Sequence, residues 1–119
     1  INLTRRARGL PLWFSLATHG VATYRAAIRA NVELAHQAAK EIEKRDYLSL
    51  VRKPQLSVVV FERNGWEQAD YDSWSEKLLA EQVALVLPSS LRGRPHTRFA
   101  IVNPMTTIEL LIEILDSMK

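Results

Sequence analysis

Arginine is the residue type best placed to do chemistry in this sequence. Arg5, Arg6 and Arg8 cluster near its start. A guanidinium presents a planar fork of donors that matches a carboxylate or a phosphate. The cluster therefore reads either as a site for an anionic partner or as a solvated terminus. A nucleic-acid arm ranks behind both, because the chain lacks the interleaved aromatic platforms on which single-stranded bases stack. Arg98 stands differently, inside a run that alternates like a strand and on the same face as Ala100 and Val102. An arginine there must reach out to water or meet an anion. An edge-of-sheet structural role and a ligand or interdomain ion pair both fit it. Arg92 and Arg94 flank Gly93 in an expected loop and read as solvated.

Other chemistries find little support. His19, His36 and His96 are scattered, and the Glu33/His36 pair reads as a solvated helix surface. No H-E-x-x-H, phosphate loop or dinucleotide fingerprint is present, and no nucleophile elbow. Ser89 and Ser90 are expected in a turn. The absence of cysteine excludes thiol catalysis and Cys-ligated metal. Sixteen Lys and Arg against thirteen Asp and Glu leave +3, too mild an excess to argue for nucleic acid. With 47% hydrophobic and 24% charged residues over 119 positions, the composition is that of one ordinary globular domain. No stretch approaches the roughly 20 apolar residues of a membrane span. The first residue is Ile1, as expected of a processed chain or a piece of a longer one.

The elements that must position these residues follow from period and punctuation. Gly9 and Gly20 bracket a helix over Leu10–His19, with Pro11 in its first turn. It is apolar on two faces, through Leu10, Trp13, Phe14 and Ala17 on one and Leu12 and Leu16 on another. Such a helix is expected to be a connector buried from two sides. From Val21 to about Arg45, apolar residues recur at helical spacing through Tyr24, Ile28, Val32, Ala35, Ala39 and Ile42. A strand over 56–61 is expected to be covered on both faces, with Leu48–Val51 as an edge strand and Asn64-Gly65 as a turn. A helix from about Asp70 to Gln82 takes Asp70 as N-cap and turns Tyr71, Trp74 and Leu78 inward. Val83–Leu87 reads as a strand stopped by Pro88, and Thr97–Val102 as another. Thr106 with Glu109 makes a capping box before the stripe Ile108, Leu111, Ile112 and Leu115. The fold class is α+β, a small and mainly antiparallel sheet covered by helices. Residues 1–19 form an arginine-rich lead-in and connector helix, and residues 20–119 the domain.

Two stretches carry a family resemblance. Thr4-Arg5-Arg6-Ala7-Arg8-Gly9-Leu10-Pro11-Leu12-Trp13-Phe14 resembles the S-R-R-x-x-x-L-x-L-W-F segment of the pyridoxal-phosphate-dependent group II amino-acid decarboxylases. The run Leu91-Arg92-Gly93-Arg94-Pro95-His96-Thr97-Arg98-Phe99-Ala100-Ile101-Val102-Asn103-Pro104 resembles that family's closing L-R-G-R-x-x-L-R-x-x-I-V-N-P-x-T-T. Gly20–Tyr24 and Leu56–Phe61 fall in register with it, so the similarity spans essentially the whole chain. Thr4, Ala7, Pro11 and Thr97 depart from the usual residues and leave the arginines in place.

The resemblance implies the C-terminal small domain of a fold-type I enzyme, closing over the active site of an L-amino-acid decarboxylase. It implies pyridoxal 5'-phosphate (PLP) as cofactor, an amino-acid substrate and a cytoplasmic homodimer, with neither nucleic acid nor membrane as partner. Arg6 and Arg98 would take supporting catalytic roles. The Schiff-base lysine of the family follows a histidine, and none of Lys40, Lys44, Lys53, Lys77 and Lys119 does. That lysine is therefore expected upstream, and this segment is expected to hold no cofactor-binding residue. The contrasting reading is a stand-alone α+β binding or regulatory module whose arginine arm recruits an anionic partner.

Overall fold

A computed structural model describes Ala7 and residues 9–119. Its elements run α1 (Gly9–His19), α2 (Val21–Glu43), β1 (Leu48–Arg52), β2 (Val58–Arg63), α3 (Gln68–Ala80), β3 (Pro88–Leu91), β4 (Arg94–Ala100) and α4 (Ile108–Asp116). The strands form one sheet in the order β1-β2-β4-β3, with every neighbouring pair antiparallel. This is the α+β architecture expected from the sequence.

Pairing fixes which residues share a face. Leu50 lies opposite Phe61, Val59 opposite Phe99, and Phe61 opposite Thr97. Leu48, Val59, Phe61, Thr97 and Phe99 are buried, and Leu50 is partly buried against them. Onto this face pack Ala35, Ala38, Ala39 and Ile42 of α2, Tyr71, Trp74 and Leu78 of α3, and Leu111, Ile114 and Leu115 of α4. The alanines of α2 allow the helix backbone to lie close to its neighbours. The rings of Phe61 and Phe99 meet at 4.8 Å across β2 and β4.

The opposite face is not covered. Val58, expected beneath a second layer, is 43% exposed. Within the described residues the continuous β-branched run of β2 is covered on one face only. The first turns of α2 are likewise uncovered, with Val21 and Ile28 exposed. In α1 no residue is buried, contrary to the expected two-sided burial, and Leu12, Trp13 and Phe14 are all more than half exposed. That helix meets α2 through a hydrogen bond between the Ser15 and Tyr24 hydroxyls.

Three local readings are corrected. Helix α3 starts at Gln68, and Asp70 sits in its first turn, where its carboxylate accepts from the Glu67 N–H at 2.8 Å. Helix α4 is capped by Thr107, not Thr106, and the Thr107 Oγ1 accepts from the Leu110 N–H at 3.3 Å. The Thr106 N–H is engaged with the Asn103 carbonyl at 3.1 Å, closing the turn that precedes the helix. Val83–Leu87 is not a strand. Side-chain hydroxyls occupy its carbonyls, with Ser75 donating to Val86 at 2.7 Å and Thr97 to Leu87 at 3.3 Å. The strand begins at Pro88, which is tolerated as first residue of the edge strand β3.

Candidate functional site

The bare side of the sheet collects Arg52 of β1, Glu62 of β2, and Arg94 and Arg98 of β4. Arg98 lies opposite Val60, and Ala100 opposite Val58. Arg98 is exposed and makes no hydrogen bond or ion pair among the described residues. The strand alternation places it as expected with Ala100, but on the face that the helices leave open, so within this chain it is solvated. Arg5, Arg6 and Arg8 lie outside the described residues.

The glycine motif around Arg92 and Arg94 makes a two-residue hairpin turn, so these arginines belong to a turn and a strand end. Arg92 and Gly93 both have positive φ, 53° and 79°, as a tight β-hairpin with right-handed strand twist requires. The turn carries Arg94 onto the open face, opposite Leu91. Ser89 and Ser90, expected in a turn, are instead strand residues paired with His96 and Pro95.

A groove of about 630 Å³ runs along this face, lined by Val51, Arg52, Val60, Glu62, Leu91, Arg92, Arg94 and His96. Its walls are basic and its floor apolar, an arrangement that suits an anionic group on an apolar body. The Glu33/His36 pair lies in a separate, smaller groove beside Lys40 and Lys53. Among the described residues no cluster of three His, Asp or Glu could hold a metal ion.

Two polar centres escaped sequence reasoning because their partners are remote in sequence. Arg63 donates from Nε to the Met118 carbonyl and from Nη1 to the Asn64 carbonyl, each at 2.7 Å. Its guanidinium lies 5.0 Å from the Tyr47 ring and 5.8 Å from that of Trp66. The Trp74 indole donates to the Ser117 hydroxyl at 2.8 Å. Both fasten the end of α4 to the sheet and α3. Burial raises the Tyr71 phenol, although the Arg63 N–H donated to it acts in the opposite direction.

Residues 1–64 match the pyridoxal-dependent decarboxylase conserved domain. The chain is 31% identical to an aromatic-L-amino-acid decarboxylase of Bacillus atrophaeus, a match that takes in 100% of this chain and 26% of the relative. It is 30% identical to an L-2,4-diaminobutyrate decarboxylase of Rhizobium meliloti over 98% of this chain and 25% of the relative. The crystal structure of Oryza sativa TDC with PLP and tryptamine superposes with a TM-score of 0.81, covering 99% of this chain and 27% of that one. At 23% identity that likeness speaks for the fold alone. The chain thus spans about a quarter of the length of the proteins it matches.

Proposed function

Because the chain belongs to the pyridoxal-dependent decarboxylase family, we propose that it is the C-terminal small domain and connector helix of a longer PLP-dependent L-amino-acid decarboxylase. The observation that carries this reading is the one-sided burial of the sheet. Helices cover one face, while the other presents Arg98, Arg94 and exposed valines that a further body of protein would cover.

The residues present do not fit the cofactor as its Schiff-base holders. All five lysines are exposed, and none lines the basic groove. A Schiff-base lysine works from an enclosed pocket, and none of these five side chains is enclosed. The cofactor's chemistry belongs to another part of the enzyme.

What this segment contributes is closure. A rigid two-layer domain swung over a bound amino acid excludes water from the reacting groups and fixes their orientation. Arg98, held on a strand and free of partners among the described residues, is the side chain placed to meet an anion across that junction. A tight grip on the scissile carboxylate would stabilise the ground state, so we assign Arg98 to gating or positioning. Arg6 takes a supporting role on the lead-in, and the enzyme works as a cytosolic homodimer. Both assignments rest on the resemblance.

The test is carbon dioxide release by the full-length protein, loaded with PLP, from a panel of L-amino acids. Release from at least one of them is expected. Release from none, with anion binding retained by the arginine arm, would favour the stand-alone binding module.

A further inference from the structure

His96 lies at the centre of an unexplained arrangement. It is 8% exposed, lines the 630 Å³ groove, and makes no hydrogen bond or ion pair among the described residues. An imidazole carries polar nitrogens on both edges; among the described residues no buried side-chain nitrogen lacks a partner, so those of His96 keep access to the groove. Arg52, Arg92 and Arg94 stand around the same groove with a single carboxylate, Glu62, and none of the three pairs with it among the described residues. The site is therefore basic and equipped with unengaged donors. The floor is apolar, with Val51 38% and Leu91 51% exposed, and Val58 on the same sheet face is 43% exposed.

We propose that this groove seats a carboxylate-bearing segment of the polypeptide outside these 119 residues, with the arginines holding the carboxylate beside His96. The proposal rests on the reading of the chain as one domain of a longer enzyme. Three observations favour that occupant. About three-quarters of the matched relatives' length lies outside this segment. The basic walls call for acid, and opposite charge across a junction fixes its register. The apolar floor continues along the exposed valines, a width that a stretch of polypeptide covers and a small anion does not.

The experiment uses the full-length protein carrying Arg94→Lys, and in parallel Arg52→Lys. A water-soluble carbodiimide joins an amine to a carboxylate in direct contact, and peptide mapping then finds the link. Light and heavy isotope-labelled copies are mixed so that links within a chain and between chains differ in mass. The expected result is a link from the introduced amine to an Asp or Glu outside these 119 residues, within one chain, in at least one variant. Links only to Glu62, links between copies, or no link in either variant would overturn the proposal. So would saturable binding of inorganic phosphate to the wild-type protein that Arg94→Ala abolishes, since the groove would then be open to a small anion. Carbon dioxide release is measured on the wild-type preparation. Release without the link rejects the seat and keeps the decarboxylase reading, and the link without release does the reverse.

Discussion

Arg45 Nε stands 3.0 Å from Asp116 Oδ1, joining the end of α2 to the end of α4. The same guanidinium donates to the Glu41 carbonyl at 2.6 Å and lies 3.2 Å from the Glu41 carboxylate. The Arg45 side chain is 13% exposed and that of Asp116 41%, so the pair sits at the edge of the core with the carboxylate reaching water. Two of the three helices that cover the sheet are thereby locked to each other at their C-terminal ends.

The lock makes stability depend on pH. Lys44 and then Arg45 hold the Glu41 carboxyl below its ordinary value, and Arg45 does the same for Asp116. In the unfolded chain both return to the usual range of about 4, so the unfolded state binds more protons in the window below it. Stability is full above that range and is lost as pH falls through the lowered folded values. The melting temperature of the 119-residue chain should drop over that acidic window, and Arg45→Met should both lower it near neutrality and flatten the drop. Parallel curves for the two proteins would show that the lock contributes nothing.

Tyr71 offers a second test of packing. Its hydroxyl accepts the Arg63 N–H at 2.7 Å, tying α3 to the last residue of β2. Tyr71→Phe keeps the ring and strands that N–H, a loss of about 1–3 kcal/mol. Urea denaturation of the 119-residue chain measures it, and an unchanged midpoint would contradict the assignment.

Arg98 and Arg6 separate stability from catalysis. Because Arg98 is solvated on the open face, Arg98→Ala should change the stability of the 119-residue chain by no more than about 0.5 kcal/mol. In the full-length enzyme the same change should cut turnover, and lysine should not restore it fully, since a point charge lacks the guanidinium fork. Arg6→Ala is expected to lower turnover more than melting temperature. Wild-type turnover in Arg98→Ala would remove that residue from the junction.

The bare connector helix should make the isolated segment sticky. Leu10, Leu12, Trp13 and Phe14 are 52–61% exposed, and clustered apolar surface of this kind drives association. Light scattering on the 119-residue chain should report a species heavier than 13.6 kDa, with Trp13→Glu shifting it toward monomer. A clean wild-type monomer would contradict this.

Much of the fold is legible in the sequence, because α2, β2, α3 and α4 each announce themselves by period. Residues on one face of a strand are also legible, which groups Arg98 with Ala100. Period does not say which face the helices will cover, so whether Arg98 reaches water or meets an anion stays open in the sequence, and the structure puts it on the open face. Pro88 read as a stop because its missing N–H matters inside a sheet, and it opens a strand here because β3 is an edge. His96 and Arg63 gave no local signal at all. Their surroundings are assembled by strand register and by the return of the chain end, as in the 2.7 Å bond from Arg63 to Met118.

The most direct measurement is borohydride reduction after incubation with PLP, followed by peptide mapping, on the full-length protein and on the 119-residue chain side by side. The full-length protein should be labelled at one lysine outside these residues and release carbon dioxide from an L-amino acid. The 119-residue chain should take no stoichiometric label. Stoichiometric label on Lys40, Lys44, Lys53, Lys77 or Lys119 would contradict the reading of this segment as the closing domain of an enzyme whose cofactor is held elsewhere.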